Sequence, residues 1–114
     1  MLVIGTAVRS GNLVLPHGDW AAWAEAVLHT VDAALQHTAP TWLGHCKLLI
    51  ETAETIVYAS LVEANGTISW SGSASELDTE AAITLYCAVY GVDDDQANNA
   101  VEHTLRQFPA VLVD

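Results

Sequence analysis

Positive charge is almost absent from this sequence. Only Arg9, Lys47 and Arg106 are basic, against fourteen acidic side chains, for a formal net charge of -11 over 114 residues. Nucleic-acid binding rests mainly on Lys and Arg contacts to phosphate, so no nucleic-acid partner is expected. Anionic membrane surfaces are disfavoured by the same repulsion. Cysteine is scarce too. Cys46 and Cys87 are the only two; they form no Cys-x-x-Cys and no zinc-ribbon spacing, and both are expected to serve as small buried hydrophobes. No apolar run approaches the roughly 20 residues that span a bilayer. The opening Met1-Leu2-Val3-Ile4-Gly5-Thr6-Ala7-Val8 has no basic region before an extended apolar stretch. It is therefore expected to be a strand, not a signal peptide, in a cytoplasmic protein without a structural disulfide.

The chemical motifs that carry familiar activities are also missing. No Gly-x-Ser-x-Gly occurs, and Cys46 alternates away from His45 on an extended strand, so no activated nucleophile is assembled. The segment Gly5-Thr6-Ala7-Val8-Arg9-Ser10-Gly11 fits neither phosphate-loop pattern. Asp93-Asp94-Asp95 lacks the alternation, the central Gly and the distal Glu of a calcium loop. His29 and His37 stand two helical turns apart, too far for one ion. No catalytic residue, metal or cofactor is expected.

What the chain does have is apolar content, at 52% of residues, enough for one α+β domain over residues 1–114 with its own core. Residues 2–8 are expected to form a strand, Arg9 to Asn12 a turn, and residues 13–15 a second strand. Asp19 fits the N-cap of a helix reaching about His37, with Trp20, Trp23, Ala24, Val27, Val31, Ala34 and Leu35 on one stripe. Asp32 and Gln36 fall off it. Asp78 or Ser75 is expected to cap a second helix reaching about Tyr90, which Ala82, Ile83, Leu85, Tyr86, Cys87, Val89 and Tyr90 make apolar nearly all round and so the most buried, with Gly91 as its left-handed terminator. Asp93 to Asp95 place negative charge at the start of a third helix, where the helix dipole favours it. Pro109 ends that helix, and residues 110–113 are expected to form a closing strand.

Between the first two helices lies a three-stranded antiparallel meander. Gly44 to Glu51 and Ile56 to Glu63 are apolar runs, and Asn65-Gly66 turns the chain into Thr67 to Ser71. With Ala53-Glu54 and Asn65-Gly66 as two-residue loops, Lys47 faces Ser60, Leu49 faces Tyr58, His45 faces Val62, Ser60 faces Ser71 and Val62 faces Ser69. Alternation then puts Cys46, Leu48, Ile50, Val57, Ala59, Leu61, Ile68 and Trp70 on a core face. The opposite face carries His45, Lys47, Glu51, Tyr58, Ser60, Ser69 and Ser71 among Leu49, Ile56 and Val62.

Residues 43–91, with Leu43-Gly44-His45-Cys46-Lys47 leading a strand and Ala82-Ile83-Thr84-Leu85 later, resemble the C-terminal accessory domain of CobW-type GTPases, proteins linked to metal or cobalamin handling. The resemblance implies an accessory domain. It carries over no catalytic residue, because the GTPase domain and its Cys-rich metal motif are not in this chain.

The expectation is thus an antiparallel sheet with about three helices packed mainly on one face. The function expected first is a non-enzymatic accessory or interaction domain, a homodimer through the outer sheet face or the partner of another protein. The alternative is a binding protein or enzyme for an anionic small molecule, held by His45 and Lys47 with Tyr58, Ser60 and Ser71 in support. An imidazole there can carry a proton near neutral pH.

Overall fold

The computed structural model describes residues 3–15, 18–74, 77 and 79–108. Five strands and two helices follow in the order β1 (Ile4–Val14), α1 (Trp20–Gln36), β2 (Leu43–Glu51), β3 (Ile56–Glu63), β4 (Ser69–Ser71), β5 (Glu80–Tyr90) and α2 (Asp94–Arg106). The strands form a single antiparallel sheet in the spatial order β1-β5-β2-β3-β4. Both helices lie on one face, α2 across β1 and β5 and α1 across β2 and β3. No helix among the described residues is long and apolar enough to cross a membrane.

The core between the layers follows from period-two patterning. Cys46, Leu48 and Ile50 of β2, Val57, Ala59 and Leu61 of β3, and Ile83, Leu85, Cys87 and Val89 of β5 are buried on the helix side. From α1, Trp20, Ala24, Val27, Leu28, Val31 and Leu35 meet them. Burying a large aliphatic side chain is worth roughly 1.5–3 kcal/mol, so this alternation fixes which face is inside. Asp19 caps α1 through Ala22 N–H. Asp93 caps α2 in a reciprocal arrangement with Gln96. The latter two bonds satisfy donors that a helix start otherwise leaves unpaired.

Three expectations are corrected. Residues 80–90 form the strand β5, not a helix, so there are two helices rather than three. Beneath the all-round apolar character runs a strict alternation. Ala81, Ile83, Leu85, Cys87 and Val89 face the helices, while Ala82, Thr84, Tyr86, Ala88 and Tyr90 face out. β5 lies between β1 and β2 in the sheet, and its outward side chains stay on the face away from the helices. Gly91 does adopt a positive φ of 90°, but at the end of that strand. Arg9 to Asn12 is no turn: β1 runs through it in unbroken register with β5. The expected closing strand at residues 110–113 lies outside the described residues.

The third correction concerns the meander. Thr52 N–H bonds Thr55 C=O, so Ala53-Glu54 is the two-residue loop expected, and Lys47 pairs with Ser60 and Leu49 with Tyr58. A bulge between Leu43 and Cys46 interrupts the pairing where His45 was expected opposite Val62. The second hairpin is offset by two residues. Ser60 faces Ser69, and Tyr58 faces Ser71. Asn65 alone takes a positive φ, of 56°, inside a longer loop. The cause is Asp32, buried on α1, whose carboxylate accepts from Asn65 N–H (3.0 Å), Trp42 Nε1 (3.0 Å) and Gln36 Nε2 (2.8 Å). The loop is thereby tied to α1 and to Trp42, and a tight two-residue turn is lost to these charge-assisted bonds.

Candidate functional site

The face of the sheet opposite the helices has no layer over it among the described residues. Its side chains fall into rows that cross the strands. One row reads Val8, Tyr86, Lys47, Ser60, Ser69, and the next Ser10, Thr84, Leu49, Tyr58, Ser71. On the far side of Lys47 come Thr6, Ala88 and His45. The residues singled out from sequence, His45, Lys47, Tyr58, Ser60 and Ser71, therefore do share one face. Lys47 and Ser60 are direct neighbours, Tyr58 and Ser71 are direct neighbours, and His45 stands one position along β2 on the same side. Ser71 sits beside Tyr58 and not beside Ser60 as expected.

Lys47 is half-buried, and its ammonium lies 5.3 Å from the centre of the Tyr58 ring, close enough for a cation–π attraction. Among the described residues no carboxylate pairs with it. The ion pairs found there join Arg9 and Arg106 to Glu102 instead. Large apolar side chains flank this centre with half or more of their surface open, Val8 at 50% and Ile56 at 62%.

The charge pattern is the sharper feature. The face bears one cation, Lys47, and its acidic residues, Glu51, Glu63 and Glu80, all stand at strand ends, in a chain of net charge -11. Hydroxyls, Tyr rings, aliphatic groups, His45 and Asn12 make up the rest. Tyr86 and Thr84 escaped the sequence reading because β5 was read as a helix, and Val8 and Thr6, though within the expected first strand, because only β5 links that strand to β2. The alternation of residues 81–90 was the signal that would have found them.

Concave sites lie elsewhere. A cleft of about 250 Å³ between the end of α1 and the start of α2 is lined by His37, Thr38, Gln96, Asn99 and His103 among others. A second, of about 450 Å³, is walled by residues 40–43 and 63–65. Neither includes Lys47, Tyr58, Ser60 or Ser71. Among the described residues no group of three or more His, Cys, Asp or Glu side chains is placed to hold a metal ion.

Cys46 and Cys87 are register partners on β2 and β5, both wholly buried on the core side. Contact with the Cys87 thiol, followed by burial, pushes the Cys46 pKa far above its ordinary value, so Cys46 is a protonated, inert group and no nucleophile.

No protein-family model matches the chain, and no curated protein sequence matches it. Among solved structures, it is similar to a Zn(II)-bound triple mutant of the GTPase YjiA, at 10% identity and a TM-score of 0.40, over 89% of this chain and 29% of that one. The chain thus spans less than a third of that protein's length. That neighbour is a CobW-family GTPase. A likeness this distant carries no argument about function.

Proposed function

We propose that this chain is a non-enzymatic interaction domain that self-associates through the open face of its sheet. The observation that carries the reading is the near-absence of charge across five strands of a strongly acidic molecule. Depletion of charged residues with exposed aromatic and aliphatic groups is the compositional mark of a buried interface centre. A second copy is favoured because Lys47 and Glu51 of one strand complement themselves. Lys47 and Glu51 lie four residues, about 13 Å, apart on β2. A two-fold axis over Leu49 sets Lys47 of each copy against Glu51 of the other, with the two sheets about 10 Å apart. The flatness of the face supports this reading over a ligand pocket, since small-molecule sites are concave.

Light scattering on the wild type, Tyr58→Asp and Leu49→Asp tests it. The expected result is a dimer that becomes a folded monomer in both variants, because each buries an unpaired carboxylate at the contact. A wild type that stays monomeric at millimolar concentration sinks the proposal. The second reading, an anionic ligand at His45 and Lys47, rests on the ammonium having no carboxylate partner. It requires that Lys47→Ala abolish binding of a carboxylate or phosphate probe while leaving the mass unchanged.

A further inference from the structure

The two edges of the sheet are unequal. β4 is three residues long, a short edge of the sort that discourages further pairing. β1, at the other edge, is eleven residues long. In an antiparallel strand the N–H and C=O of one residue point to the same side and alternate along the chain. Leu15 N–H bonds Thr79 C=O, and Val3 C=O accepts from Gly91 N–H. Odd-numbered residues of β1 therefore face β5, and even-numbered ones face outward.

Along the first half of this edge three of the outward groups are occupied. Thr6 N–H donates to Asp94 Oδ1 at 2.9 Å, and Thr6 C=O accepts from Asn98 Nδ2 at 3.5 Å. Val8 C=O accepts from the Arg9 guanidinium at 2.9 Å. Beyond Val8 this cover stops. Among the described residues, the outward backbone groups of Ser10, Asn12 and Val14 have no partner. The segment Ser10-Gly11-Asn12-Leu13-Val14 also carries no Lys, Pro or bulge, the devices by which exposed edges are usually blunted.

We infer that residues 10–14 of β1 form a strand-pairing site whose occupant is the same segment of a second copy, extending the sheet across a two-fold axis at Asn12. In that register Ser10 meets Val14 of the other copy and Asn12 meets Asn12, giving about six main-chain hydrogen bonds. The segment is its own complement and uncharged, so nothing in it opposes itself across the axis. Its surroundings also suit two acidic chains. Two of the three basic side chains, Arg9 and Arg106, gather beside it around Glu102, which offsets part of the acidic charge on this flank. The inference goes beyond association through the open face: it names a different surface, and either can fail without the other.

Residue-resolved amide hydrogen exchange at low and high protein concentration tests it. The amides of Ser10, Asn12 and Val14 are expected to slow by about tenfold or more at high concentration, while those of Leu13 and Leu15 do not change. Asn12→Pro abolishes the effect without unfolding the strand, since the N–H it removes faces outward. Asn12→Lys, which sets two like charges opposite each other, does the same. Tyr58→Asp, a change on the open face, leaves the edge protection intact. Exchange of the three amides at the same unprotected rate at every concentration overturns the inference. So does protection that is independent of concentration and vanishes when residues 109–114 are removed, which would assign the edge to the chain's own last residues.

Discussion

Asp32 is 5% exposed, and its carboxylate accepts from Trp42 Nε1, Asn65 N–H and Gln36 Nε2. Removing it leaves two donors of the Trp42 corner without acceptors, and stranded buried polar groups cost about 1–3 kcal/mol each. Asp32→Ala is therefore expected to lower stability by about 2–4 kcal/mol in urea unfolding, and Asp32→Asn by less, since one carbonyl oxygen remains to accept. Equal stability of the alanine variant would mean that the carboxylate does not organise the corner. The buried thiols give a second residue-scale prediction. The Cys46 pKa is raised in the folded state by the Cys87 contact and by burial, so folding favours the neutral thiol. That contribution is complete below the unfolded thiol's pKa, near 8.5, and is lost as pH rises from there toward the folded value. The urea midpoint is expected to fall between pH 8 and 10, and to fall less in Cys46→Ala. A thiol reagent should label the wild type at its unfolding rate; rapid labelling of the native protein would contradict the burial.

At the scale of elements, the packing of α2 on β1 depends on small residues beneath the helix. A Cβ built on Gly5 would overlap the Asp93 carbonyl at the helix cap, and that is backbone, which cannot swing away. Gly5→Ala is expected to cost about 1–3 kcal/mol by pushing α2 off the strand. It should also raise the exchange of the Thr6 amide, which Asp94 now holds. A variant as stable as the wild type, with Thr6 still protected, would show that the cap tolerates the added carbon. Element type was legible wherever the periodicity was clean, as in α1, α2, β2 and β3. It was misread at β5, where apolar residues on both faces hid the period of two. β1 was misread because Ser10-Gly11-Asn12 reads locally as a turn, and pairing with β5 overrides that preference.

At the scale of the whole molecule, fourteen acidic groups against three basic ones make two copies repel. Contact through a face whose acidic groups stand only at strand ends keeps most carboxylates away from the contact, yet the long-range repulsion remains. Raising the ionic strength from about 0.01 M to 1 M shortens the Debye length from about 30 Å to 3 Å. Self-association is therefore expected to tighten with added salt, as sedimentation equilibrium would measure. A dimer that loosens instead would be held mainly by the Lys47–Glu51 pairs rather than by the uncharged groups around them.

The sequence by itself determined the acidic balance, the two capped helices, the hairpin at Ala53-Glu54, and the sorting of His45, Lys47, Tyr58, Ser60 and Ser71 onto one face. These follow from local chemistry and from alternation, which any extended strand obeys. Tertiary structure decided what lies beside that face and how its rows align. Residues 80–90 became a strand only by entering the gap between β1 and β2, bringing Tyr86 next to Lys47. Ser71 lies beside Tyr58 and not Ser60, after a loop that Asp32, on a helix more than thirty residues away, holds through Asn65 N–H. Both outcomes depend on contacts between distant segments, and the free energy of such contacts is written in no single stretch of the chain.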